Sequence, residues 1–404
     1  MLIKNCRILI DGVEKVTDIL TADGKIIEIS ENIPEGRLEV VDAKGKWVIP
    51  GVVDAHCHMR DPGLSHKEDF MTGSMACARG GVTTFIDMPN TIPAVTTSEI
   101  FEEKRAMMVG KSYVDYGFNF GGSRNDNSEE IKKVIDKVAS TKIFLNMSTG
   151  DMLITEDSVI ENIFRESKII SVHAEEEMVA KAIELCEKYD KPLYLCHLSK
   201  ASEAKMLREA KAKGLKVYGE VTPHHLFLNV DDVNADERSS MLLRMKPELK
   251  TKENNEELWK ALADGTIDTI GTDHAPHLIE EKLAKLTFGI PGVENSLEMM
   301  LKGVDEGKIS MARLIEVMCT KPAEIFNIAN KGKIQVGYDA DLVIIDREDK
   351  SAIKDDDVIT KANWTPYEKF NRGGRVVTTI LRGQIVYSNK EFYGKYGREI
   401  NYHE

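Results

Sequence analysis

The sequence predicts an α/β protein, a TIM (β/α)8 barrel with a small β-sandwich domain formed from both chain ends. Between residues 51 and 334, short β-rich runs alternate with amphipathic helical segments, which is the pattern of repeated βα units and a parallel sheet. Residues 1–50 and 335–404 instead show alternating strands separated by turns such as Asp11-Gly12. We therefore expect a barrel over residues 51–334 and one composite β domain built from residues 1–50 and 335–404.

Eight candidate strands can be counted in the barrel region. Most are followed by amphipathic segments, such as Ser128 to Ser140 and Ala201 to Lys213. In a TIM barrel the residues that carry out chemistry lie at the carboxyl ends of the strands, and polar residues accumulate at those ends in this chain. The predicted strands end near His58, Met88, Phe120, Asn146, His173, His197, Pro223 and Asp273.

Length, charge and cysteine content limit the possible functions. The 404 residues are enough for one large barrel and a smaller lobe. The net charge of -13 argues against nucleic acid or an anionic membrane as a partner, because the summed field repels phosphate groups. Six scattered cysteines favour reduced thiols over disulfides. We expect a cytoplasmic protein without signal peptide or membrane span, since Met1 leads into a strand pattern and no apolar run is long enough.

The most informative stretch begins with His56-Cys57-His58, directly after an apolar run. Alternate residues of an extended segment point to the same side, so His56 and His58 can present two imidazoles to one metal ion, with Arg60 next on that face. Taken alone, two histidines near a strand end are more often polar loop residues. Four histidines at three strand ends and Asp273 at a fourth together favour zinc, with one coordination position left open for water.

Lys142 begins the β-rich run of the fourth predicted strand. Strand alternation places Lys142 and Phe144 on one face and Ile143 and Leu145 on the other. Two interpretations stay open. Lys142 is either a solvated lysine at a strand start, or it points into the barrel mouth beside metal ions, where the neutral amine is favoured over the ammonium. Such an amine can take up carbon dioxide and become a carbamate whose two oxygens bridge two metal ions.

The chain resembles the dihydroorotases, a family of cyclic amidohydrolases within the amidohydrolase superfamily. The resemblance covers nearly the whole length. The motifs that carry it are His56–Gly63 with Ser65–Asp69 after it, Asp87–Thr91, Val221–His225, Thr272–His277, and Pro322-Ala323 in a late helix.

The resemblance implies two zinc ions per subunit, bridged by carboxylated Lys142 and a hydroxide. It also implies that Asp273 is catalytic, carrying a proton from the attacking water to the leaving ring nitrogen. The implied ligands of one zinc are His56, His58, Lys142 and Asp273, and those of the other are Lys142, His173 and His197.

The resemblance further implies reversible cyclisation of N-carbamoyl-L-aspartate to L-dihydroorotate, in the de novo biosynthesis of pyrimidines (UMP). Arg60, Asn90 and His277 match positions that hold the substrate carboxylate, a group that a planar guanidinium binds with two parallel hydrogen bonds. Phe288 and Gly289 match a loop whose backbone meets the pyrimidine ring. The implied substrate contacts are His58, Arg60, Asn90, Lys246, His277, Phe288 and Gly289.

Several residues keep two interpretations. Ser148 lies in the segment from Asn146 to Asp151, at the place of a loop that closes on substrate in relatives, or in an ordinary surface turn. Cys196 and Glu220 stand where some relatives hold an additional zinc, or they are a buried thiol and a hydrogen-bonded carboxylate. His224 and His225 are expected to support the site without binding the two zinc ions.

Two other functions compete with this one. Another cyclic amidohydrolase, acting on allantoin, a hydantoin or a dihydropyrimidine, would leave Arg60 without a carboxylate partner. A noncatalytic scaffold with the same fold is disfavoured, because every ligand position holds a competent residue. The expected partner is a small-molecule substrate; a homodimer and an association with aspartate carbamoyltransferase occur in relatives and stay open.

Overall fold

The computed structural model describes residues 1–148, 152–368 and 370–402. Its strands are β1 (Leu2–Ile10), β2 (Val13–Ala22), β3 (Lys25–Ser30), β4 (Val40–Asp42), β5 (Trp47–Pro50), β6 (Val52–Cys57), β7 (Val82–Asp87), β8 (Asp115–Phe118), β9 (Phe120–Gly121), β10 (Thr141–Phe144), β11 (Ile170–His173), β12 (Leu193–Leu195), β13 (Val217–Val221), β14 (Thr269–Ile270), β15 (Leu342–Asp346), β16 (Arg375–Leu381), β17 (Gln384–Ser388) and β18 (Glu391–Phe392).

The α-helices are mostly short and follow the barrel strands. They are α1 (Phe70–Arg79), α2 (Ser98–Met108), α3 (Ser128–Val134), α4 (Asp157–Glu166), α5 (Glu177–Tyr189), α6 (Ala201–Ala212), α7 (Pro223–Phe227), α8 (Val230–Val233), α9 (Glu237–Leu242), α10 (Lys252–Ala263), α11 (Ile279–Ala284), α12 (Ser296–Asp305), α13 (Met311–Ile315) and α14 (Lys321–Ile325). A π-helical turn (Glu316–Thr320) joins α13 to α14, and a 3-10 turn (Asp355–Asp357) follows β15.

Parallel strands close into the predicted barrel. Strands β6 to β8 form one parallel sheet and β9 to β14 form a second. The sheets join at two places. Strand β8 continues into β9 past Asn119, and Cys57 forms a parallel bridge with His274, four residues after the end of β14. The bond from His58 N to His274 O, 2.8 Å long, completes this closure. With β8 and β9 counted as one interrupted strand, the barrel has eight strands, and each ends within three residues of its predicted end.

Burial explains why these segments are strands and helices. Every residue of β6, β7, β10 and β11 is buried, as in a parallel sheet covered on both faces. Helix α6 agrees with the predicted segment, whereas α3 ends at Val134, six residues short of the predicted Ser140. The reason is that Ala139 N already donates to Phe118 O (2.9 Å), so the chain has left the helix to join the barrel.

The two chain ends build one nine-stranded sheet, in the order β18-β17-β16-β15-β5-β1-β2-β3 with β4 beside β1. The ends meet where β5 and β15 pair antiparallel, with Val48 opposite Ile344. Side chains of both ends, including Ile8 and Ile380, share one apolar core. The predicted fold class, a TIM barrel with a small β-sandwich domain from both chain ends, is confirmed. We propose residues 1–50 with 335–404 and residues 51–334 as the limits of the two domains.

Between β15 and β16 the chain leaves this sheet and packs against the barrel; we call the described residues 351–368 and 370–372 the strap. Trp364 Nε1 donates to His277 O (2.9 Å), and Arg372 Nη1 lies 3.0 Å from Glu298 Oε1 of α12. The side chains of Trp364 and Arg372 are both buried. The strap therefore fixes the segment that follows β14, where the candidate site lies.

The cysteines are all free and buried, as the sequence predicts. Burial raises the pKa of the Cys186 thiol to about 11, so this thiol stays protonated near neutral pH. In the described ranges, no helix has both the length and the apolar character that crossing a membrane requires.

Candidate metal centre and substrate pocket

Three predicted metal ligands meet at the carboxyl ends of β6 and β14. The ligand atoms of His56, His58 and Asp273 all lie within 4.8 Å of one another. Asp273 Oδ1 is 2.9 Å from His58 Nε2 and 3.3 Å from His56 Nε2. Because alternate residues of an extended segment share a face, the two histidines reach the same carboxylate oxygen from one strand end.

The other two predicted histidine ligands lie beside this group. His173 ends β11 and His197 follows β12, and His173 Nδ1 is 2.8 Å from His197 Nε2. The ring centroids of His56 and His197 are 5.2 Å apart, which joins the two groups. Burial, followed by the charge of Lys142, lowers the pKa of His173 to about 3, and burial holds the pKa of His197 well below its usual value. Both imidazoles are therefore neutral, the form that binds metal.

Lys142 is fully buried in β10, which excludes the interpretation of a solvated lysine at a strand start. Its Nζ lies 2.9 Å from Cys196 Sγ. Within the described part of the chain no carboxylate oxygen lies within 4 Å of that nitrogen. The charge of Lys142 also acts on the pKa values of His56, His173 and His197, which places it among the same histidines.

This arrangement fits metal ions. His173 Nε2 and His197 Nδ1 are buried atoms that find no hydrogen-bond partner among the described residues, although buried polar groups normally have one. A metal ion would satisfy them. The donor set of imidazole nitrogens and one carboxylate is typical of zinc.

Glu220, at the end of β13, supports two of the histidines. Its Oε1 lies 2.7 Å from His56 Nδ1 and accepts from His197 N (2.9 Å), while Tyr194 donates its hydroxyl to Oε2 (2.8 Å). Burial alone lowers the pKa of His56, but the charges of Glu220 and Asp273 raise it to about 10. A carboxylate on the far nitrogen of a ligating histidine fixes the orientation of its ring. The ligand atoms of His56, Cys196 and Glu220 also lie within 4.8 Å of one another.

Asp54 and Thr272 form a second support that the sequence analysis missed. Thr272 Oγ1 donates to Asp54 Oδ2 (2.6 Å), and Asp54 Oδ1 accepts from His56 N and Thr272 N (3.1 Å each). The pair links the first barrel strand to the segment after the last one, next to the predicted metal ligands His56 and Asp273. An aspartate inside the apolar run before His56 was the available signal, because a buried carboxylate needs partners.

A small pocket opens beside His58 and Asp273. It is lined by His58, Arg60, Asn90, Ser148, Lys246, Asp273, Ala275, Phe288 and Gly289. Six of the seven predicted substrate contacts thus share one pocket, with an edge formed by Asp273. Ser148 lines the pocket as well, whereas residues 149–151 of the predicted closing loop lie outside the described residues.

Arg60 is buried in this pocket, and no ion pair joins it to a carboxylate of a described residue. Its Nε donates to Pro276 O (3.1 Å), and its Nη2 lies 3.2 Å from His277 Nε2. Burial lowers the pKa of Arg60 from 12.5 to about 10. An anion entering the pocket would supply the missing partner of this cation.

His277 lies behind Arg60 and does not line the pocket. Its Nδ1 is 3.1 Å from Lys67 Nζ, and its Nε2 is 3.1 Å from Phe288 O and 3.2 Å from Arg60 Nη2. Burial, followed by the charges of Arg60 and Lys67, lowers the pKa of His277 to about 2. His277 thus holds the Phe288 backbone in place as a neutral group.

The two histidines of α7 differ in their surroundings. His225 Nδ1 lies 2.8 Å from Thr222 Oγ1 and its Nε2 lies 3.1 Å from Pro247 O, so it connects the end of β13 to the segment that carries Lys246. His224 is buried, and neither of its ring nitrogens has a hydrogen-bond partner in the described ranges.

Comparisons with known proteins show the family to which this chain belongs. Residues 47–386 match the amidohydrolase family. The chain is 35% identical to the dihydroorotase of Methanosphaera stadtmanae, over 100% of this chain and 99% of that protein, and 36% identical to the dihydroorotase of Pyrococcus horikoshii, over 95% and 91%. Among solved structures, the L-hydantoinase (dihydropyrimidinase) of Arthrobacter aurescens superimposes with a TM-score of 0.93 at 30% identity, covering 99% of both chains. The chain is a member of the amidohydrolase family.

Proposed function

We propose that this chain is a dihydroorotase, which interconverts N-carbamoyl-L-aspartate and L-dihydroorotate in the de novo biosynthesis of pyrimidines. Relatives named dihydroorotase match over almost the full length. The observation that carries the proposal is Arg60, a buried guanidinium that lines the pocket and has no acidic partner among the described residues. The carboxylate on the dihydroorotate ring offers that partner in the bidentate geometry that arginine favours.

We further propose that the centre holds two zinc ions. When bound, such ions polarise the ring carbonyl and make a water nucleophile available near neutral pH. Carboxylation of Lys142, in which its neutral amine adds to carbon dioxide and loses a proton, would replace the cation with two bridging oxygens. The proposed ligands are His56, His58, Lys142 and Asp273 for one ion, and Lys142, His173 and His197 for the other.

Asp273 is the proposed proton carrier. Although burial works in the opposite direction, His56 and the hydrogen-bonded His58 hold the pKa of Asp273 well below its usual range, so the carboxylate is ionised. Asp273 also lines the pocket, so a bound substrate would lie next to its carboxylate. Asp273 can therefore accept a proton from the attacking water and donate it to the leaving nitrogen, as a general base and then a general acid.

The pocket has to widen before a ring can enter. It encloses about 20 Å³ of free space, whereas ligand pockets commonly measure about 300 Å³ or more. Lys246 is the side chain that can move, because it is partly exposed, pairs with the exposed Glu248 (2.6 Å) and lies over the Phe288 ring (5.3 Å to the centroid). We propose that Lys246 swings away from Phe288 when substrate binds.

Two hypotheses on assembly come from the family resemblance. We propose a homodimer, and an association with aspartate carbamoyltransferase in the cytoplasm. Size-exclusion chromatography with light scattering, on this protein alone and mixed with the carbamoyltransferase, would test both. Elution of the two proteins as separate monomers would reject them.

A hydantoinase or dihydropyrimidinase is the alternative, favoured by the solved structures that superimpose well. Their rings offer no carboxylate to Arg60. The test is to load the protein with zinc and follow conversion in both directions, with a chelator-treated sample as control. We expect dihydroorotate and N-carbamoyl-L-aspartate to be interconverted. Turnover of hydantoin or dihydrouracil without turnover of dihydroorotate would establish the alternative.

A further inference from the structure

Two loops contribute residues to the wall of the pocket. One, residues 244–247, carries Lys246, and the other, residues 287–290, carries Phe288 and Gly289. A backbone hydrogen bond joins the two loops directly, from Gly289 N to Arg244 O (3.0 Å). The shape of this wall depends on the distance between the two loops, so contacts that fix this distance also fix the shape of the pocket.

Lys282 of α11 lies between the two loops with its side chain fully buried. Its Nζ donates to Arg244 O of the first loop (2.7 Å), and to Thr287 O (3.3 Å) and Gly289 O (3.0 Å) of the second. An ammonium group has three protons and accepts nothing, so three carbonyl acceptors match it completely.

Lys282 differs from the other buried lysines of the described chain. Lys104 lies 2.6 Å from Asp87, Lys331 contacts three aspartates, and Lys142 belongs to the metal centre. The charged groups that act on Lys282 are the cations Arg244 and Arg60, and no carboxylate of a described residue lies within 4 Å. Burial, with those two cations, lowers the pKa of Lys282 to about 7. Burying a cation is costly, and among the described residues the three carbonyl oxygens are the groups that offset this cost at Lys282.

We propose that Lys282 is a positioning residue that ties the 244–247 loop to the 287–290 loop and thereby sets the affinity for the substrate ring. Gly289 lies in the pocket wall and Lys246 follows Arg244 by two residues, so a shift of either carbonyl moves a group that faces the substrate. The kinetic part of this inference rests on the proposed dihydroorotase function. The structural part, that Lys282 joins the loops, does not.

The first experiment measures amide hydrogen exchange by mass spectrometry on the zinc-loaded full-length protein. Lys282→Met keeps the length and apolar stem of the side chain but removes all three donors. The matched control is Lys285→Met, which removes an exposed lysine three residues further on. We expect faster exchange in both loops of K282M and unchanged exchange there in K285M. Unchanged exchange in K282M would overturn the clamp, whatever reaction the protein catalyses.

The second experiment measures kcat and KM for dihydroorotate, with zinc content determined on the same samples. We expect K282M to raise KM by about tenfold, the change that about 1.4 kcal/mol of lost binding produces, with kcat and zinc content near those of wild type. K282R keeps the donors and should show a smaller rise in KM than K282M; it also serves if K282M does not fold.

The outcomes of the two experiments separate the hypotheses. Wild-type KM in K282M would refute the role in affinity. Equal losses of kcat, zinc and thermal midpoint in K282M and K282R would mean that Lys282 only supports the fold, which also overturns the inference. A wild-type protein without dihydroorotase activity would instead reject the proposed function, and hydrogen exchange would still decide whether Lys282 joins the loops.

Discussion

Replacing Arg60 with methionine gives the sharpest test of substrate choice. Arg60 is buried, its protein contacts are Pro276 O and His277 Nε2, and no ion pair joins it to a carboxylate of a described residue. The substrate carboxylate would therefore form most of its charge pairing. Removing one partner of a buried charge pair costs about 2 to 5 kcal/mol, so kcat/KM for dihydroorotate should fall by about 30-fold to several thousand-fold. Zinc content should not change, because Arg60 is not a proposed ligand.

The assay compares kcat/KM for dihydroorotate with kcat/KM for dihydrouracil, in wild type and R60M at matched zinc content. Dihydrouracil has no carboxylate, so its rate should hardly change and the variant should discriminate less between the two rings. Equal proportional losses on both substrates would refute the reasoning. They would mean that Arg60 supports the loop through Pro276 O.

Three further predictions concern the metal centre and stability. Lys142→Ala should lose most bound zinc and activity, with partial rescue by short carboxylic acids; a variant with two zinc ions and near wild-type turnover would contradict carboxylation. Asp273→Asn should lose at least about 10²-fold in kcat at matched zinc content, because it removes the general base; comparable turnover would assign proton transfer elsewhere. Burial lowers the pKa of His225 to about 4 from its usual 6.5, so stabilisation is present above pH 6.5 and is lost as the pH falls toward 4. Other buried histidines lose stability over the same range, so denaturant titrations should show that the loss between pH 7 and pH 5 is about 2 kcal/mol larger in wild type than in His225→Gln; equal losses in both proteins would contradict this.

The barrel and the metal centre could be predicted because their signals are local. His56 and His58 share a face by strand alternation, and the barrel fold brings strand ends such as those at His173 and His197 to one rim. The burial of Lys142 could not be settled from the sequence, since a lysine at a strand start is usually solvated. The closed barrel decides it, because that position of β10 is buried and the Lys142 Nζ lies 2.9 Å from Cys196 Sγ, next to the predicted ligand His197.

The supporting contacts depend on tertiary geometry that no local pattern contains. Glu220 reaches His56 across 164 positions of sequence, and Trp364 of the strap reaches His277 across 87. Lys282 occurs in a charged run, Glu280-Glu281-Lys282, that looks like a solvated helix face. Only the packing of both pocket loops around it reveals that the chain buries this lysine.

The ratio of kcat/KM for dihydroorotate to kcat/KM for dihydrouracil, measured on wild-type protein with its zinc content determined, tests the central claim most directly. The proposed function predicts about two zinc ions per chain. It also predicts a ratio well above one, because only dihydroorotate has a carboxylate that can pair with Arg60. A ratio below one would contradict the account and favour a dihydropyrimidinase. Turnover that persists in a protein freed of metal would contradict the proposed centre.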